Sequence, residues 1–263
     1  MVRAAHIEPT IAVTTIAAVL AFAFGLNASR LVVATAAVFA GQLVIGWSND
    51  LIDVGRDSAV QRRDKPLVTG DLTPQMVAVA LGCATVAAVA LSAALGWRSA
   101  LTHLVLLVGS GIAYNLGLKS TAFSWLPYTI AFGSLPAVLS LADNPPALPA
   151  PWIIAASAAL GTAAHFLNTL PDLADDAATG VRGLPHRLGA RWSKASATAL
   201  LFAATVITVL GETGSPQGWA WLALLGACAL AFGVLAGHGR LPFRCAIAAA
   251  ALNVTLLVTM VRL

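Results

Sequence analysis

Nine runs of mostly apolar residues follow one another along the chain, at about 10–27, 30–48, 73–95, 99–117, 122–141, 151–170, 194–211, 219–236 and 243–261. A helix that crosses a bilayer needs about 20 such residues. Inside lipid, every backbone N–H and C=O must find its partner within the protein, and a single apolar segment achieves that only as a helix. The runs therefore predict an all-α, polytopic membrane protein with nine transmembrane helices around a central cavity, residues 1–263 forming a single domain. The breaks between runs agree: "DNPPALPAP" (143–151), "GETGSPQG" (211–218) and "GHGRLP" (237–242) are Pro- and Gly-rich turns.

Composition removes the other classes. Hydrophobic residues make up 59% of the chain and charged residues 10%, against about 25% charged in a soluble domain. The net charge of +4 is spread over short loops, so no nucleic-acid partner is expected. Cys83, Cys228 and Cys245 all lie in apolar runs without a CxxC pairing, and read as small core hydrophobes. The run that follows Arg3 is as apolar as the others and reads as a first spanning helix rather than a cleaved leader.

Lys and Arg set the orientation. With the N-terminus in the cytoplasm, twelve of the fifteen fall on the inner side, and only Arg30, Arg98 and Arg262 fall outside. That bias fits the positive-inside rule. It predicts a cytoplasmic N-terminus and cytoplasmic active-site loops.

Two polar stretches stand apart, 49–72 and 171–193. Both fall on the cytoplasmic side, after the second and sixth runs, and they hold eight of the eleven acidic residues. Residues three and four apart share a helix face. Asp50, Asp53 and Asp57 follow that spacing with Asn49 beside them, provided the second helix continues past Trp47. Asp172 and Asp176 are four apart, and Asp175 is rotated off their line. Stacked carboxylates repel unless water or a cation intervenes. One such cluster reads equally well as a solvated helix end, but two at equivalent topological places point to cation binding. Mg²⁺ takes one or two protein carboxylates and completes its shell with water and substrate phosphate. Lys119, Arg182, Arg187, Arg63 and Lys65 supply cations for phosphate oxygens, whereas Arg62, Arg191 and Lys194 read as topology-setting surface charges.

At these residues the chain resembles the UbiA superfamily of intramembrane prenyltransferases. Asn49, Asp50, Asp53 and Asp57 match its NDxxDxxxD motif, and "RRDKPLVTGDLTP" (62–74) resembles the segment that follows it. Asp172 and Asp176 match its DxxxD motif within "NTLPDLADDAATGVRGLPHRLG" (168–189), similar to the branch that includes menaquinone-type enzymes. "AYNLGLK" (113–119) is similar to a Tyr-to-Lys motif after the fourth helix, and "RAAHIEPT" (3–10) to the family's opening. Tyr114 and Lys119 are five apart where the family often has four, and Val181 stands where a Lys often precedes the Arg matched by Arg182. The Tyr-Ala-x-x-Asp lead-in of the 4-hydroxybenzoate branch is absent before Asp172, which argues against that acceptor.

The resemblance implies a Mg²⁺-dependent enzyme that ionises a prenyl diphosphate and transfers the prenyl group to an aromatic or lipid-like acceptor (EC 2.5.1 class). The implied catalytic and metal residues are Asp50, Asp53, Asp57, Asp172 and Asp176. The implied diphosphate contacts are Asn49, Lys119, Arg182, Arg63, Lys65 and Asn168. Tyr114, Trp47, Asn115 and Phe166 are expected to line the substrate pocket, with Trp125, Tyr128 and Phe132 as further aromatic candidates. His165 reads as a hydrogen-bonded core histidine rather than a residue lining the acceptor pocket; the resemblance implies contact of His6 and Arg3 with an acidic acceptor, and an interfacial anchor is the more economical reading. A membrane terpene cyclase acting on prenyl diphosphate alone is the alternative reading. A non-enzymatic ion transporter is more distant, because the Asp clusters sit at helix ends rather than along a path across the bilayer. A CDP-alcohol phosphotransferase is disfavoured by the absence of D-G-x-x-A-R.

Overall fold

The computed structural model describes the chain apart from residues 2, 3, 5, 63, 64, 172, 179, 212–217, 238–240 and 263, and apart from the side chains of residues 174, 175, 219, 243, 261 and 262. Among the described residues there is no strand, and nine long helical stretches coincide with the nine apolar runs. They are α1 (Ile7–Ala23), α2 (Ala28–Ala59), α3 (Pro74–Ala94), α4 (Trp97–Leu116), α5 (Leu126–Ser140), α6 (Pro151–Thr169), α7 (Leu184–Leu210), α8 (Gly218–Ala236) and α9 (Leu241–Arg262). By length and composition α2, α3, α4 and α7 are able to cross a bilayer. Side chains such as Val79, Val86, Leu222, Leu225 and Phe232 are more than half exposed, the pattern of a surface solvated by lipid rather than water.

Local chemistry sets the helix ends. Asn27 caps α2 by accepting from the Arg30 N–H at 3.0 Å, and Thr73 caps α3 by accepting from Met76 N–H at 3.2 Å, with Pro74 at the first helical position. Two boundaries differ from the sequence expectation. Helix α2 runs on to Ala59 instead of stopping at 48, because the polar side chains of its last turns are bonded by residues beyond the helix. Helix α7 starts at Leu184, ten residues before the apolar run. It does so through a short polar piece that turns at Gly189, whose φ of 75° suits glycine. The stretch 171–193 is thus partly helical, and includes a six-residue helix, Leu173–Ala178.

The chain divides into two compact units, Met1–Lys119 with Ala137–Leu148, and Ser120–Pro136 with Pro149–Leu263. In the first, α2 packs against α1, α3 and α4. Close approach of α4 depends on Gly111, where an added Cβ would stand 2.6 Å from Ile45 Cδ1. Within α4, Thr102–Val108 is a π-helical segment. It buries His103 completely, with Nδ1 2.7 Å from Ser92 Oγ. In the second unit, α7 packs against α6, α8 and α9 around Ala163, Leu201 and Ala249. Asn253 of α9 accepts from Thr205 Oγ1 at 3.1 Å and donates to Leu201 O at 3.1 Å, so its buried amide is satisfied between two helices.

Candidate active site

In the first unit the three carboxylates do share the face of α2 that their spacing predicts, but each has its own surroundings. Asp50 is 2% exposed. Its Oδ1 accepts from Lys65 Nζ at 2.6 Å and lies 3.1 Å from His6 Nε2, and Lys65 Nζ is 2.9 Å from that same imidazole nitrogen. Lys65 reaches it because Pro66–Thr69 forms a short turn of helix that Gly70 ends at φ 80°. Asp53, also buried, receives both its main bonds from Lys119, with Nζ 2.7 Å from Oδ1 and a second bond to Oδ2. Arg56 Nη1 is 3.2 Å from Oδ1, and Asn49 Nδ2 donates to Oδ2 at 3.0 Å. Asp57 is half-buried in the field of Lys65, Asp53 and Arg62.

Lys119 stands just past α4, in the turn Leu118–Ser120, and is only 6% exposed. Burial pushes its ammonium below the ordinary lysine range, and the Asp53 hydrogen bond opposes part of that shift. Asn115 holds α4 to α2: its Nδ2 donates to Ile45 O at 2.9 Å and Ser48 Oγ at 3.0 Å, and its Oδ1 accepts from Asn49 at 3.2 Å. Asn115 thus fixes Asn49 and, through it, Asp53. Tyr114 is partly buried one residue before.

His6 has contacts that the sequence did not indicate. Beyond a place near the interface, it is a partner of Asp50 and Lys65. It occupies the left-handed region at φ 49°, ψ 61°, one of the conformations a non-glycine side chain rarely adopts. Ala4 beside it is fully buried against Leu72 and Val77, with Trp47 packed on the same cluster and donating from Nε1 to Met1 O at 3.3 Å. Trp47 thus ties Met1 and Ala4 to α2.

In the second unit, Asp176 is partly buried on the helix Leu173–Ala178, and its Oδ2 is 3.4 Å from His186 Nε2. Arg182 and Arg187 are exposed, Arg187 Nε donating to the Arg182 carbonyl at 3.2 Å. His165 is, as expected, a core histidine: 1% exposed, with Nε2 3.0 Å from Ser124 Oγ, which also accepts from Leu184 N–H at 2.9 Å. Its ring lies 5.0 Å from Tyr128 and 5.8 Å from Phe166, and Tyr128 is 6.4 Å from Phe132 in a stacked arrangement. Asn168, at the exposed end of α6, hydrogen-bonds with Tyr128. Gly161 permits this cluster, since a Cβ there would fall 2.4 Å from Phe132 Cβ and 2.6 Å from Tyr128 O. Asp172, Arg63 and Arg3 lie outside the described residues.

Among the described residues no three acidic, histidine or cysteine side chains form a ready metal cage. The donor chemistry nonetheless fits a hard cation. Asp50 Oδ2 is buried and has no hydrogen-bond partner among the described residues, although a buried carboxylate oxygen is costly to leave bare. Oxygen ligands of this kind suit Mg²⁺. Sequence reasoning missed His186 and Ser124. Only the position of His186 within "LPHRLG" marked it, and Ser124 carried no signal in an apolar run.

Helices without a strand among the described residues, apolar exposed faces, and buried carboxylates paired with ammonium groups at helix ends define a helical membrane protein with charged helix ends. The chain belongs to the UbiA prenyltransferase family, whose model matches residues 10–257. The digeranylgeranylglyceryl phosphate synthase of Methanopyrus kandleri is 29% identical over 186 residues, covering 67% of this chain and 64% of that relative, so under two thirds of the relative is spanned. A UbiA homolog from Aeropyrum pernix K1 superposes with a TM-score of 0.75 at 17% identity, covering 96% of this chain and 98% of the homolog. A UbiA homolog from Archaeoglobus fulgidus bound to GPP and Mg²⁺ superposes with a TM-score of 0.71 at 16% identity, covering 100% and 99%. At these identities the two structures establish the fold.

Proposed function

We propose that this protein is a Mg²⁺-dependent prenyltransferase that ionises a prenyl diphosphate within the membrane and passes the prenyl group to a lipid-like or aromatic acceptor. The observation that carries this reading is Asp50: a buried carboxylate with one oxygen held by Lys65 and the other without a hydrogen-bond partner among the described residues. That oxygen asks for a cation, and the neighbouring ammonium groups ask for a polyanion. A diphosphate delivered with Mg²⁺ answers both. Support comes from the Archaeoglobus homolog bound to GPP and Mg²⁺.

Asp50, Asp53 and Asp57 of the first motif, and Asp172 and Asp176 of the second, would hold Mg²⁺ ions. When bound there, Mg²⁺ supplies positive charge to the diphosphate oxygens and makes them a better leaving group. Lys65, Lys119, Arg63, Arg182 and Arg187 bind phosphate oxygens, and Asn49 and Asn168 donate hydrogen bonds. The allylic C–O bond breaks with its electron pair leaving on the diphosphate. The acceptor nucleophile forms the new bond to the prenyl carbon, and its proton departs to solvent or base. Apolar walls exclude water that would otherwise capture the cation. Aromatic faces such as Tyr114, Phe166 and Tyr128 steady it, each by about 2 kcal/mol when desolvated.

All nine long helices cross the bilayer in this reading, with the N-terminus and both acidic motifs cytoplasmic. The supports are the asymmetric Lys and Arg distribution and the apolar exposed faces. The family match spans both compact units, which supports one functional domain. The name of the Methanopyrus relative favours a glyceryl phosphate type of acceptor over an aromatic one.

The test is incubation of the purified protein with geranyl to geranylgeranyl diphosphates, with and without glyceryl phosphate and aromatic acceptors. Pyrophosphate release and acceptor prenylation should depend on Mg²⁺, stop in EDTA and return when Mg²⁺ is restored. Undiminished turnover in EDTA would overturn the reading. A cyclised product formed without acceptor would move the protein to the terpene cyclases.

A further inference from the structure

Lys65 and Lys119 hold the two most buried carboxylates of the first motif directly. Lys65 Nζ is 2.6 Å from Asp50 Oδ1, and Lys119 Nζ is 2.7 Å from Asp53 Oδ1. Both lysines are buried, at 9% and 6% exposure. They come from different segments, one from the turn after α2 and the other from the turn after α4. Neither is a surface charge that met an acid by chance. A carboxylate buried this deeply folds only with a counter-charge, and these lysines provide it.

The same arrangement opposes metal binding. An ammonium on Oδ1 and a dication on Oδ2 of one carboxylate would sit a few ångströms apart, in surroundings that screen poorly. A polyanion changes the balance, because it offers both ammonium groups new oxygen partners. We propose that Lys65 and Lys119 are internal counter-cations of Asp50 and Asp53 which the incoming diphosphate must draw away, so that metal and prenyl diphosphate load together rather than metal first. The inference rests on the metal and diphosphate roles proposed above, and it assigns the two lysines a second task on the acidic side of the site. His6 belongs to the same device. With Nε2 2.9 Å from Lys65 Nζ and 3.1 Å from Asp50 Oδ1, it steadies the lysine over one carboxylate oxygen, while Oδ2 has no hydrogen-bond partner among the described residues.

The measurement is the affinity for Mn²⁺ alone, read by electron paramagnetic resonance on the detergent-solubilised full chain with no diphosphate present. Lys65→Met should bind Mn²⁺ about tenfold tighter than the wild type, since the competing ammonium is gone, while its KM for prenyl diphosphate rises. A lysine that only contacts diphosphate would raise KM and leave metal-only affinity unchanged. Lys65→Arg keeps the charge and should stay close to the wild type. Asp50→Asn/Lys65→Met should lose the tightening. If Lys65→Met unfolds in metal-free buffer, Mn²⁺ should restore its folding and raise its Tm more than that of the wild type. An equal or weaker Mn²⁺ affinity in Lys65→Met, or failure to fold at every Mn²⁺ concentration, would overturn the inference. Those outcomes alongside intact Mg²⁺-dependent turnover sink this inference alone. Absence of Mg²⁺-dependent turnover in the wild type, with Mn²⁺ affinity unmoved by Asp50→Asn, sinks the functional reading itself.

Discussion

The two acidic motifs are built on opposite principles. Asp50 and Asp53 sit in the continuous α2 helix, are nearly buried, and are bonded by lysines from separate segments, with Asn115 tying the neighbouring helix in. Asp176 sits on a six-residue helix, is partly exposed, and has His186 at 3.4 Å with exposed arginines nearby. The first motif is braced, its charge balanced inside the protein, so that its carboxylates carry folding energy as well as chemistry. The second sits on a short helix at a partly exposed position, so its carboxylate contributes less to folding than the two buried ones.

The sharpest way to break this comparison is to neutralise one carboxylate from each. Asp53→Asn and Asp176→Asn should each reduce kcat by about a hundredfold or more, the range expected when charge stabilisation of the leaving group is lost. Only Asp53→Asn should also lose stability, by about 3–5 kcal/mol, because Lys119 is left buried without its counter-charge. Thermal unfolding in detergent alongside the activity assay reads both, and equal stability losses would erase the distinction. A smaller effect is expected from His186→Gln, which removes a loosely held partner of Asp176. A rise in KM of a few-fold with an unchanged Tm fits a motif that adds little to folding, and a large fall in Tm would show the second motif to be braced as well. The smallest effect concerns packing behind the second motif: Gly161→Ala pushes a methyl into Phe132 and the Tyr128 carbonyl. Overpacking of this kind costs about 1–3 kcal/mol, so a lowered Tm with native-like turnover per folded molecule is the expected result.

The helical architecture was legible in the sequence because burial in lipid demands long apolar runs, and these leave an unmistakable pattern. Its failures came where polar residues belong to helices. The last turns of α2 carry Asn49, Asp50, Asp53, Arg56 and Asp57, and no hydropathy window extends a helix through them. What keeps those turns helical is bonding by Lys65 and Lys119, which lie 15 and 66 positions away along the chain. The i, i+3, i+4 spacing correctly placed the acidic residues on one face. It did not reveal that lysines, read as phosphate ligands, would be hydrogen-bonded to those same acids. Nor did it show that Trp47 packs on Ala4 and donates to Met1 O. The position of His6 on Asp50 depends on a left-handed backbone turn before α1 that single-residue propensities do not anticipate.

The π-helical segment Thr102–Val108 has a consequence at some distance from itself. A π turn holds more residues than an α turn, so it advances the chain without the matching rotation. Everything after it on α4 is set at a different azimuth from the one an uninterrupted helix would give. Asn115 meets the Ile45 carbonyl, and Lys119 meets Asp53, with that offset already in place. The seven-residue irregularity in the middle of the helix thus acts as a phase shifter whose output is read two turns later, where the charges meet.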